Sequence, residues 1–248
     1  MTAKVLFLDI EISPMVAYSW GPMWETRLIE IIEPWYMLSF AYKWQGQKKV
    51  TVKALPDYPL YATAPKNDKS LASELRDLLD EADVVIAHNG DRFDLPKCAS
   101  RILVHGLKPP SPYKTVDTLK LARKLFRFES NKLDDLCRIL GIGTKLKHTG
   151  FDLWKRCMEG DEKAWRLMAK YNAHDIDLLE GLYERIKPWA TNHPRLTHFS
   201  RASACPTCQS TNIQARGYNV TATGKRQRIH CQDCGAWSAP GPLIKDAA

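Results

Sequence analysis

The spacing of apolar positions changes period along the chain, and each change predicts an element. Val5 to Glu11 is an apolar run closed by acids and reads as a buried strand. Tyr36 to Trp44 and Val50 to Leu55 read as two more strands, with Gln45-Gly46-Gln47 as the turn, and the three pair as a meander. The period then lengthens. Ser70 to Ala82 carries Leu71, Leu75, Leu78 and Leu79 on one face of a helix. Asp83 to Ala87, with VVIA at its centre, is a short strand; Leu95 to His105 is helical and Gly106 ends it; Tyr113 to Val116 is a further short strand. Helices follow over Asp117 to Phe126 and Asn131 to Leu140, with Gly141 as the stop. Asp161 to Lys187 is one long amphipathic helix with Trp165, Met168, Ala169, Ala173, Ile176, Leu179, Leu182 and Ile186 at helical spacing. Pro188 and Thr191-Asn192-His193-Pro194 close this first domain, expected over 1–194; a small module is expected over 200–240. Strands first, then helices alternating with short strands, predict an α/β chain with a mixed sheet flanked by helices.

Composition narrows the class. The 248 residues suffice for one sizeable domain and a small one, and 44% hydrophobic content is ordinary for a globular core. No apolar run approaches the roughly 20 residues that span a bilayer, so no membrane partner is expected. The start, MTAKVLFLDIEIS, does not read as a signal peptide, because an Asp-x-Glu interrupts the apolar run. The net charge of +8 favours a polyanionic partner, and residues 201–248 hold +4 of it. Three of the seven cysteines, Cys98, Cys137 and Cys157, sit in apolar helical patterns and read as buried thiols; an odd count points to a reducing, cytoplasmic setting.

Candidate chemistry begins with acids. Asp9 and Glu11 are two apart on a strand and so share a face. Two carboxylates side by side in an apolar strand repel each other and are most easily kept where cations neutralise them. Tyr171 and Asp175 are four apart on the long helix and share its face. Asp94 follows a strand and a turn at the start of a helix, where α/β folds place functional groups. Hard oxygen ligands select Mg²⁺ or Mn²⁺ over zinc, and two such ions about 3.5–4 Å apart can clamp a phosphodiester.

Taken together, Asp9-Ile-Glu11, Asn89-x-x-x-Phe93-Asp94 and Tyr171-x-x-x-Asp175 resemble the three motifs of the DEDD 3′–5′ exonucleases of the RNase H-like superfamily. The tyrosine form resembles the proofreading domains of family B DNA polymerases; the histidine form would need His where Lys170 stands, and His174 fits neither pattern. The resemblance implies an RNase H-like fold and hydrolysis from the 3′ end of DNA or RNA, a single-stranded end being favoured. It implies two Mg²⁺ or Mn²⁺ ions, with Asp9, Glu11 and Asp175 holding the ion that activates water. Asp9 would bridge to a second ion, Asp94 would act on that ion, and Tyr171 would orient the attacking water. It also resembles stand-alone phage nucleases, which would place it in host cytoplasm with a replication or repair partner. Two alternatives stay open: an inactive nucleic-acid-binding adaptor, and a structure-specific endonuclease on the same metal site.

Cys205-Pro-Thr-Cys208 and Cys231-Gln-Asp-Cys234 are two CxxC pairs separated by 22 residues. Four thiolates hold tetrahedral Zn²⁺, and the intervening strands Ala215 to Thr221 and Arg226 to His230 around Thr223-Gly224 resemble a zinc ribbon. Arg216, Lys225, Arg226 and Arg228, with Tyr218 and Trp237 nearby, suit contact with phosphates and bases; a solvated structural hairpin is the alternative.

Three weaker signals remain. Tyr18, Trp20, Trp24, Trp35 and Tyr36 directly follow the first acidic motif and either stack on a strand end or pack as core. Lys108, Lys114, Lys120, Arg123, Lys124, Arg127 and Lys132 form a basic stretch read as a solvated face rather than a groove. Lys145, Lys147 and His148 precede the last helices and could reach a scissile phosphate.

Overall fold

The computed structural model describes residues 3–22, 27–199 and 204–245. A five-stranded sheet is ordered β5(Thr51–Ala54)-β4(Met37–Trp44)-β1(Val5–Ile12)-β6(Val84–Ala87)-β7(Lys114–Asp117). The meander holds: β1 pairs antiparallel with β4, and β4 with β5. On its other edge β1 runs parallel to β6, and β6 to β7, so the sheet is mixed as expected.

Alternation along β1 builds two cores. Leu6, Leu8 and Ile10 face one cluster with Leu71, Leu75 and Leu79 of α1(Lys69–Glu81) and Cys98 and Ile102 of α2(Asp94–Val104). Val5 and Phe7 face the other, with Leu121 of α3(Thr118–Leu125), Leu136 and Cys137 of α4(Leu133–Ile139), and the C-terminal half of α6(Glu162–Ile186). Each fully buried side chain of this kind contributes about 1.5–3 kcal/mol. Asp9 and Glu11 continue the Phe7 row, so alternation aims both toward α6.

α6 is a single 25-residue helix, started by Asp161, whose carboxylate accepts from the backbone N–H of Lys163 and Ala164. It packs on β1, β4 and β5, and Tyr183 meets Phe7 edge-on at 5.6 Å. Gly181 lets the loop after α4 approach closely: a Cβ there would meet Ile142 Cγ2 at 2.6 Å. That loop carries Lys145.

One hairpin and one helix were not legible in the pattern. A hairpin, β2(Val16–Ser19) with β3(Leu28–Glu33), is inserted between β1 and β4. It buries no continuous face, so its sequence lacks the alternation of a core strand. The helix is α5(Phe151–Met158), two turns long. α4 also starts later than expected, at Leu133, because Lys132 keeps extended backbone.

Residues 204–245 form a separate hairpin, β8(Ile213–Thr221) and β9(Gly224–Cys231), with the two-residue β10(Trp237–Ser238) on its edge. A backbone hydrogen bond from Leu196 N–H to Pro206 O (2.8 Å) links it to the chain leaving α6.

Candidate metal centres and their surroundings

The C-terminal end of β1 and the middle of α6 bring three acids together. Ligand oxygens of Asp9, Glu11 and Asp175 all lie within 4.8 Å of one another. Asp94 adjoins them without entering that group. It is buried at the first position of α2, and its Oδ1 accepts from Ile10 N–H at 3.1 Å. The turn that delivers it is tight: Asn89 takes a left-handed conformation (φ 67°), and a Cβ on Gly90 would fall 2.3 Å from Ala87 Cβ.

Neighbours hold each carboxylate in place. Asn172 Nδ2 donates to Asp9 Oδ2 (2.7 Å), while its Oδ1 accepts from the Ser39 hydroxyl (3.1 Å). Trp154 Nε1 donates to Glu11 Oε2 (3.1 Å). Lys145 Nζ reaches Asp175 Oδ2 (2.6 Å) and the Tyr171 hydroxyl (3.0 Å). The second oxygen of Asp175 is buried and takes no hydrogen bond among the described residues.

The electrostatics are those of crowded acids. Burial, then the charges of Asp94, Glu11 and Asp175, push Asp9 well above the usual carboxylate range. Burial and Asp175 push Glu11 up to about 8. Burial pushes Asp94 up to about 7, although its hydrogen bond from Ile10 opposes this. For Lys145, burial disfavours the charge, but Asp175 and Tyr171 outweigh it and hold the ammonium above its ordinary value. Three acids converging around one lysine, one of them with an idle buried oxygen and Asp94 adjoining, suit a hard divalent cation.

The weaker expectations divide. Lys145 enters the cluster; His148 packs edge-on against Trp154 (5.2 Å) and Tyr171 (4.9 Å); Lys147 is exposed. The basic stretch is a solvated face along most of its length, but Arg123 and Lys132 line a cleft of about 620 Å³ with His88, Asn89, Asn131 and Lys145. Tyr36 is core, Trp35 lies under Lys97 Nζ at 3.8 Å, and Tyr18 and Trp20 are exposed; Trp24 lies outside the described residues. Asn172 and Trp154 are the site residues that sequence reasoning missed. Trp154 had a faint signal, the apolar spacing Phe151-x-x-Trp154-x-x-Cys157.

The four module cysteines also converge within 4.8 Å. Cys205 and Cys234 sulfurs are 3.7 Å apart, and those of Cys208 and Cys231 are 3.6 Å apart. A tetrahedral shell with metal–sulfur bonds of about 2.3 Å separates its sulfurs by about 3.8 Å. Each pair closes a similar knuckle: Gln209 N–H returns to Cys205 O and Gly235 N–H to Cys231 O, with Gln209 and Gly235 both left-handed. The geometry is compatible with a zinc ribbon.

Residues 33–187 match the model of the RNase H superfamily, and the chain belongs to that superfamily. The match includes Asp94, Tyr171 and Asp175 and starts after Asp9 and Glu11. Among solved structures, the fold is similar to the family B DNA polymerase from the hyperthermophilic archaeon Pyrobaculum calidifontis, with a TM-score of 0.58 and 15% identity. The likeness covers 75% of this chain and 25% of the polymerase, so this chain spans about a quarter of that protein's length. No curated protein matches the sequence.

Proposed function

We propose that the chain is a metal-dependent 3′–5′ exonuclease of the tyrosine DEDD type. The observation that carries this reading is the convergence of Asp9, Glu11 and Asp175 within 4.8 Å, with Tyr171 one helical turn from Asp175. Membership of the RNase H superfamily and the polymerase-like fold support nucleic acid as the substrate. Asp9, Glu11 and Asp175 would hold Mg²⁺ or Mn²⁺, with Asp94 beside Asp9 completing a pair of sites. Bound ions of this kind acidify an attacking water and stabilise charge on phosphate oxygens.

The chain's own groups supply orientation. Asn172 fixes Asp9 and Trp154 fixes Glu11, each through one hydrogen bond. Burial and Asp175 push the Tyr171 hydroxyl above its ordinary value, so it stays protonated at neutral pH and positions water rather than taking its proton. Two recesses are each lined by a residue that bonds the cluster, Lys145 in one and Trp154 in the other. The cleft containing Arg123, Lys132 and Lys145 suits a sugar-phosphate backbone. A recess of about 430 Å³ lined by Ile12, Pro14, His148, Phe151 and Trp154 suits a terminal base.

Digestion of a 5′-labelled oligonucleotide with Mg²⁺ or Mn²⁺ tests this. A ladder shortening stepwise from the 3′ end is expected, and it should vanish in Asp9→Ala and Asp175→Ala. Discrete internal fragments would instead identify an endonuclease, and intact oligonucleotide an inactive adaptor.

A further inference from the structure

The cysteine module presents one face that the nuclease reading leaves unused. Residues 213–231 contain four cations, Arg216, Lys225, Arg226 and Arg228, and no acid. Asp233, the one acid among the described residues 204–245, is taken by Ser210 and Asn212. None of the four cations meets a carboxylate among the described residues; their hydrogen bonds go to neutral acceptors, such as Arg226 to Gly241 O and Arg228 to Arg216 O.

Strand alternation sorts these groups. Ile229 and Cys231 turn inward, both buried. Arg226, Arg228 and His230 therefore turn outward, and the pairing of His230 with Gln214 and Trp237 puts those on the same face. His230 stacks on Trp237 at 4.4 Å and 18°, and the Arg228 guanidinium lies 4.9 Å from the same ring. Arg216 shares this face, its guanidinium bonded to Gln214 Oε1. Trp237 remains 51% exposed. An array of arginine, indole and imidazole with no neutralising acid among the described residues matches a polymer carrying both phosphates and planar bases.

We infer that the outer face of β8–β9–β10 binds single-stranded nucleic acid, with Arg216, Arg226 and Arg228 on phosphates and the Trp237–His230 stack beneath a base. This site would hold substrate away from the carboxylate cluster and does not depend on cleavage there.

The test is fluorescence anisotropy of a labelled oligothymidylate with the full chain carrying Asp9→Ala and Asp175→Ala, so that binding is read without digestion. Adding Arg216→Ala, Arg226→Ala and Arg228→Ala should weaken binding at least 10-fold. It should also lower the slope of log K against log salt by about 2. Trp237→Ala should weaken binding several-fold and Trp237→Phe should restore it. Bound metal per chain is measured in each variant, and Arg228→Gln alone replaces the triple variant if that one loses its metal. Unchanged affinity with metal retained would overturn the proposal. So would an equal loss in Lys225→Ala, which alters the other face, or binding to heparin with none to the oligonucleotide, the outcome expected of a protein-docking face. Cleavage of a p-nitrophenyl nucleotide ester by the same variants in the otherwise native chain should be unaltered, which separates failure of this proposal from failure of the nuclease reading.

Discussion

The ammonium of Lys145 sits 2.6 Å from Asp175 Oδ2, a side-chain cation placed among carboxylates drawn from β1 and α6. It arrives on an irregular loop that Gly181 allows to press against α6. The pair explains how the acidic cluster is tolerated in a metal-free protein: one positive charge offsets part of the repulsion.

Replacing it by Lys145→Met should therefore destabilise the metal-free protein, by about 1–3 kcal/mol, since a buried carboxylate loses its partner. Urea unfolding in the presence of a chelator checks this. Mn²⁺ should recover more stability in the variant than in the native chain; an equal or smaller gain would show that Lys145 does not share the site with the ion.

Tyr171→Phe keeps the ring against His148 and Trp154 and removes only the hydroxyl that Lys145 contacts. Folding should be unaltered while nucleotide release falls about 10–100-fold, as for other groups that orient a metal site. Initial rates of acid-soluble product with near-native melting are the readout.

His88 gives a pH dependence with a definite sign. Its ring bonds Thr118 Oγ1 (2.9 Å) and Asn131 O (3.0 Å), and burial pulls it down to about 4. The unfolded ring titrates near 6.5, so between the two values the unfolded state binds the extra proton. Its contribution is present above pH 6.5 and is lost as pH falls toward 4. The difference in unfolding free energy between native and His88→Gln protein should accordingly shrink by roughly 2 kcal/mol from pH 7 to pH 4.5.

Cys208→Ser should lower zinc content below one ion per chain and expose the module to proteolysis around residues 204–245, since a hairpin of this size has almost no core of its own. The helices and sheet of residues 3–199 should keep their far-ultraviolet signal. Limited proteolysis with metal analysis distinguishes this from global unfolding.

How much of this was legible in the sequence depends on what each residue packs against. β1, β4, α1 and α6 bury a face or both faces, so their periods declared them. The β2–β3 hairpin leaves Tyr18 and Ile31 exposed, with Trp20 just beyond β2 exposed too, and no period marks a strand that buries no continuous face. The carboxylates were visible because Asp9 and Glu11 break an apolar run and Tyr171 and Asp175 share a helical face. Asn172 was hidden because its role exists only across elements, between Ser39 on β4 and Asp9 on β1. Lys145 was visible as a nearby cation, but its docking on Asp175 depends on the close passage at Gly181, which no local pattern encodes.

If Asp9, Glu11 and Asp175, with Asp94 beside them, hold a divalent ion, the melting temperature will depend on Mn²⁺. Mn²⁺ should raise the melting temperature of the native chain, by on the order of 5 °C at saturating ion. The gain should grow from pH 6 to pH 8 as Glu11 and Asp94, raised to about 8 and about 7, give up their protons. Asp9→Asn and Asp175→Asn should abolish it. An unaltered melting temperature in the native chain, or an equal rise in both variants, would show that these carboxylates hold no such ion.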